Sequence, residues 1–154
     1  MTPPRDDSLF NLEYGYWFNA ANERFYRRVD FLTNLVQLVG GSGAAAAALG
    51  GRNGLVIASG LVLAVAAAVS LTVQAAVKAE RHERAKCKYL GIKRRMHNLS
   101  DAELHEAATE AQEGGPLGIE SLAMPSYNAA LRAIDREGGQ RPLRWSQRLA
   151  EFFA

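Results

Sequence analysis

Between Phe31 and Val77 the chain carries one fully charged side chain, Arg52, in a run otherwise built of Leu, Val, Ile, Ala and Gly with a few hydroxyls and amides. A helix rises 1.5 Å per residue and needs about 20 predominantly apolar residues to cross the hydrocarbon core of a bilayer. The run therefore predicts two membrane spans, at 31–49 and 55–77. Gly50-Gly-Arg-Asn-Gly54 lies between them, and its glycines permit the backbone angles of a reversal. So short a link predicts an antiparallel hairpin. The competing reading, two buried helices of a soluble bundle, has to accommodate 23 consecutive uncharged residues in the second helix.

The flanks change period. Phe10, Tyr14, Trp17, Ala21 and Phe25 recur at helical spacing, predicting an amphipathic helix from about Ser8 whose polar face holds Glu13, Asn19, Asn22, Glu23, Arg27 and Arg28. Trp17, Phe18, Phe25 and Tyr26 suit either the headgroup region or the core of a cytosolic bundle. Beyond Val77 nothing breaks a helix before Asn98-Leu-Ser100, so the second span is expected to continue as a rod from Leu55 to about His97, roughly 65 Å long. Along its distal part His82, Ala85, Tyr89, Ile92, Met96 and Leu99 form a short heptad seam. Its partner is the stripe on the first helix or a second copy of the chain.

Ser100-Asp-Ala-Glu103 reads as a capping box opening a helix that Gly114-Gly115-Pro116 ends. Another helix is expected from Pro125-Ser126 to Gly138-Gly139. A last one after Pro142 bears Trp145, Leu149, Phe152 and Phe153, and is expected to pack on the cytosolic bundle rather than lie on the membrane. The fold class is thus an all-α membrane protein: a cytoplasmic amphipathic helix (1–30), a transmembrane hairpin (31–77), a basic continuation (78–99) and a helical tail (100–154).

Charge adds orientation. The 154 residues hold 18 Lys plus Arg against 16 Asp plus Glu, so net charge selects no partner. The cations are unevenly placed, however. Arg24, Arg27 and Arg28 precede the first span, and eight cations between Lys78 and Arg95 follow the second. The positive-inside bias puts both ends in the cytoplasm, with an inner-membrane location. Lys78, Arg81, Arg84 and Lys88 are candidate contacts for anionic lipid headgroups. The polar, acidic start does not resemble a cleaved signal, and the lone Cys87 fits a reducing compartment.

Two constellations lie within the spans. Gly40, Ala44 and Ala48 in the first, and Gly60, Ala64, Ala68 and Thr72 in the second, recur every fourth residue as small-residue ridges of the kind that bring membrane helices together. Two ridges exceed what one hairpin needs, so a homo-oligomer is expected. Asn34, Gln37, Ser70 and Gln74 fall at similar depth on the cytoplasmic side. Such amides and hydroxyls either bond across the hairpin or line an aqueous path in an oligomer, where Leu55 and Leu61 further out would form a dewetting constriction.

No catalytic apparatus is visible. His82, His97 and His105 lack ligand-spaced partners for a metal, the glycine clusters sit inside a span, and a basic stretch with Tyr89 alone is no nucleic-acid surface. Neither enzyme activity nor a cofactor is expected.

The approach Asn22-Glu-Arg-Phe-Tyr-Arg-Arg28, the following Phe31-Leu-Thr-Asn-Leu35, the two spans and the helix opening Lys78-Ala-Glu-Arg-His82 together resemble the SLATT family, two-span proteins of bacteria and phages often encoded beside nucleotide second-messenger sensors. Ser126-Tyr-Asn-Ala-Ala-Leu131 and Arg144-Trp-Ser-Gln-Arg-Leu149 resemble a C-terminal extension of some members. The resemblance implies an effector that forms pores or perturbs the membrane when a partner signals infection or stress. It offers no catalytic residues. The sequence shows no fused sensor, so the trigger is expected from a sensor protein partner or from the C-terminal helices. The alternatives are a non-conducting anchor or scaffold and a holin-like phage protein.

Overall fold

The structure is a computed structural model that describes residues 5–51 and 53–154. Every regular element among them is helical: α1 (Arg5–Leu49), α2 (Asn53–Val73), α3 (Ala75–Arg95), α4 (Asp101–Gln112), α5 (Ala123–Ala133) and α6 (Trp145–Phe152), with short 3-10 turns at Met96–Asn98, Glu120–Leu122 and Glu137–Gly139. The chain folds as two units, one formed by Met1–Phe25 with Lys78–Ala154 and the other by Tyr26–Val77.

α1 begins at Arg5, slightly ahead of the expected Ser8, and runs unbroken for 45 residues. No proline interrupts it, and Asp6 and Asp7 in its first turn complement the helix dipole. Two long apolar helices are present, but the rod expected from Leu55 to His97 is not continuous. Gln74 adopts φ 50° between α2 and α3, although its N–H still reaches the Ser70 carbonyl at 3.1 Å. No glycine or proline announces this break. A left-handed residue other than glycine costs about 1–2 kcal/mol.

In the first unit, the opening part of α1 packs antiparallel to α3. Leu12, Tyr89, Ile92, Leu104 and Ala111 form one buried cluster, and Leu9, Tyr16, Met96 and Leu99 pack against it. The heptad seam of α3 therefore finds its partner in the same chain. Gly15 makes the close approach possible, because a Cβ there would lie 2.3 Å from the Tyr89 ring. The Arg5 guanidinium donates to the carbonyls of Met96 (2.9 Å) and Leu99 (3.1 Å) and pairs with Asp101 at 2.7 Å, so a cation satisfies the end of the returning helix.

The capping box is present: the Ser100 N–H and hydroxyl both donate to the Glu103 carboxylate (2.8 and 2.6 Å), and the Glu103 N–H points back at the hydroxyl. The hydroxyl bond, then the backbone one, holds the Glu103 carboxyl below its usual pKa. Gly114, at φ 73°, follows α4 as expected. α5 starts earlier than Pro125 and stops at Ala133, short of Gly138, with Asp135 at φ 56°. The last helix packs on the bundle as expected, but not through its largest side chains. α6 rests on the bundle through Ala150, beside Ala21 and Leu122, but Trp145 (80%) and Phe152 (76%) are exposed. Eight residues present too little surface to bury both sides, and the small side chain is the one that takes the contact.

In the second unit, Gly51 at φ 66° accompanies the end of α1, while Arg52 of the expected turn lies outside the described residues. Leu32, Thr33 and Val36 of α1 share a groove of about 450 Å³ with Leu61, Val62, Val65, Ala66 and Val69 of α2. A Cβ on Gly40 would lie 3.1 Å from the Leu63 side chain. Only 6% of the most apolar stretch of each long helix is buried within the chain, so the chain itself supplies neither with a covering layer.

Candidate functional site

The structure places the expected pore residues on or near the surface of the second unit. Asn34 is exposed, and its amide donates to Asp30 one turn earlier at 3.2 Å. Gln37 and Ser70 are half-buried and Gln74 is exposed at the helix break. Among the described residues no side-chain hydrogen bond joins the four across α1 and α2. Of the small-residue ridges, Gly40 and Ala44 are half-buried while Ala48, Gly60, Ala64, Ala68 and Thr72 are exposed. A Cβ on Gly60 would meet nothing within 4 Å.

A polar constellation absent from the sequence reading lies in the first unit. Four of the six residues of the polar face of α1 are buried, Glu13 and Glu23 at 7% exposure, Asn19 at 5% and Asn22 at 0%, while Arg27 and Arg28 are exposed. The reason is that each finds a partner far away in sequence. The Lys93 ammonium pairs with Glu13 at 2.7 Å and lies 4.5 Å from the Tyr16 ring centroid, and the Lys86 ammonium pairs with Glu23. The Asn22 carboxamide oxygen accepts the Ile119 N–H at 2.7 Å, and its nitrogen donates to the Phe18 carbonyl at 2.8 Å. The Asn19 nitrogen donates to the Gly15 carbonyl (2.8 Å), which leaves its oxygen to accept from His82 Nδ1 at 2.9 Å. Within the first unit α1 is thus contacted both along its aromatic stripe and at these four polar positions. Phe18 stands edge-on to His82, and Phe25 packs near Leu122, so these two partly buried rings pack against the bundle. The signal in the sequence was the reach of Lys86 and Lys93 beside the seam, legible only once α1 is known to be its partner.

The cations of α3 consequently divide. Lys86 and Lys93 turn inward, whereas Arg81, Arg84 and Lys88 are exposed and Lys78 is half-buried. Arg84 pairs with Glu80 along the helix.

Burial pushes the His82 pKa below its ordinary 6.5, outweighing the Leu117 backbone and the Glu23 charge, which favour the cation. The unfolded chain then binds more protons than the folded one below pH 6.5. The stability owed to neutral His82 is complete above that pH and is lost as pH falls through the folded value. Thermal melts of the full chain in detergent are expected to show a midpoint falling from pH 7.5 to pH 5, and His82→Gln is expected to flatten that decline. A wild-type midpoint constant over the range refutes the assignment.

Compared with protein-family models, curated proteins and solved structures, the chain matches none.

Proposed function

We propose that the chain crosses a bilayer twice as an antiparallel hairpin with both ends in the cytoplasm, that copies assemble through the small-residue ridge of α2, and that the assembly opens an aqueous path as a membrane-perturbing effector of the SLATT type. The observation that carries this is the apolar belt. Fifteen large apolar side chains between Phe31 and Val77 are exposed. Leaving each in water costs on the order of 1–2 kcal/mol, a total larger than the ~5–15 kcal/mol that holds an ordinary domain together. Lipid removes that cost.

Two further features support the finer reading. Gly60, Ala64, Ala68 and Thr72 contribute an open, flat stripe that the single chain leaves uncovered, the surface along which membrane helices approach closely. Gln37, Ser70 and Gln74 make no side-chain hydrogen bond to another described residue, and polar groups at membrane depth need partners or water. An oligomer supplies both. The first unit, with its exposed Arg81 and Lys88, stays in the cytoplasm, where a sensor protein engages it and anionic headgroups attract its cations.

Dye release from liposomes tests the proposal. Wild-type protein is expected to empty the vesicles, and Asn34→Leu/Gln37→Leu to slow release by about tenfold, because a dewetted lining raises the barrier to ions and water. Assembled wild-type protein that releases no dye and passes no current would instead be an anchor or scaffold, and the pore would be refuted.

A further inference from the structure

The first unit contains a cavity of about 500 Å³, within the range of small-molecule sites, whose walls the pore reading leaves without a task. One wall is a ladder of rings on α1. Phe10 and Tyr14 lie near-parallel with centroids 6.1 Å apart, and Tyr14 and Phe18 likewise at 5.8 Å. Tyr127 of α5 meets Phe10 edge-on at 5.2 Å. Asn11 and Gln112 add carboxamides to the lining.

Among the described residues Arg141 is the single charged side chain on the walls, its guanidinium 5.7 Å from the Tyr127 ring centroid. Its position is built rather than incidental. The buried Asn128 side chain accepts the Arg141 N–H at 3.0 Å and donates to the Arg141 carbonyl at 2.8 Å, fixing the backbone that presents the guanidinium. No carboxylate of a described residue lines the cavity to neutralise it.

We infer that this cavity binds a planar aromatic small molecule bearing a single negative charge, its ring plane laid along the Phe10–Tyr14–Phe18 ladder and its anionic group on Arg141. Rings take flat π-surfaces in offset or edge geometry, and a guanidinium takes a carboxylate with two parallel N–H bonds. One cation against no anion selects a monoanion over a neutral or cationic ligand. The site resides wholly in the first unit and does not depend on conduction.

The test uses the full chain in detergent, with equilibrium dialysis of 2-naphthoate and of its neutral analogue 2-naphthalenemethanol, binding to protein-free micelles being subtracted. Wild-type protein is expected to bind 2-naphthoate saturably at one site per chain, about tenfold tighter than the alcohol, the loss typical of removing a charge-assisted hydrogen bond. Arg141→Gln is expected to erase that difference, since the Asn128 clasp involves only its backbone. Ala123→Phe or Met124→Trp, each filling the cavity from α5, is expected to abolish binding of both probes in protein that still melts cooperatively. Equal affinity of wild type for the two probes, no saturable binding of either, or binding undiminished in both filled variants overturns the inference.

Discussion

Lys93→Met is expected to destabilise the first unit by roughly 3 kcal/mol, because it leaves the Glu13 carboxylate uncompensated at 7% exposure. Removing one partner of a buried pair costs far more than the pair contributes, since the remaining charge keeps its desolvation penalty. The same change also removes a cation from the Tyr16 face. Arg84→Ala, which breaks only the exposed pair with Glu80, is expected to cost less than about 1 kcal/mol. Denaturant melts followed by helical circular dichroism compare the two. Glu13→Leu/Lys93→Met should recover most of the loss, and a Lys93→Met penalty no larger than that of Arg84→Ala would show that Glu13 is not buried in the folded chain.

Gly60→Leu/Ala64→Leu is expected to abolish assembly while leaving the chain folded. Both positions are exposed, and the space beside Gly60 is open, so the added side chains displace nothing within one chain. They do hold a second helix several ångströms away, which removes the close backbone contact on which association in lipid depends. Sedimentation in mild detergent should then report monomers, and dye release should fall to background. Variant protein that still assembles at the wild-type stoichiometry places the contact elsewhere.

How far the fold could be read from sequence follows from which forces are local. The apolar run, the Ser100–Glu103 box and the Gly114 stop are written within a few residues of one another, and the corresponding helices and their ends are present. The α3 seam was equally legible, because Tyr89, Ile92 and Met96 keep helical spacing. The burial of Glu13, Asn19, Asn22 and Glu23 was not. A polar face normally marks solvent, and here these four are covered because partners 63 to 97 residues away neutralise or hydrogen-bond each group. The Gln74 break carries no sequence mark, and the outward turn of Trp145 and Phe152 depends on how little of α6 the bundle can cover. The cavity was hidden for a similar reason: its aromatic ladder reads as an ordinary apolar stripe until Tyr127 and Arg141 arrive from distant parts of the chain.

The two units pose different physical problems. The first is held by specific long-range polar contacts around a modest apolar core, and is expected to respond to single charge deletions and to pH. The second offers an apolar surface with hardly any internal polar bonding among its described residues, so its stability and its oligomeric state belong to its solvent.

Cys87 is the one cysteine of the chain and is exposed on α3, which makes topology directly readable. A membrane-impermeant maleimide applied to intact cells is expected to leave Cys87 unmodified until the membrane is permeabilised, and to label Asn53→Cys at once in a Cys87→Ser background. Labelling of Cys87 in intact cells, or recovery of the chain in the soluble fraction, would contradict the two-span account.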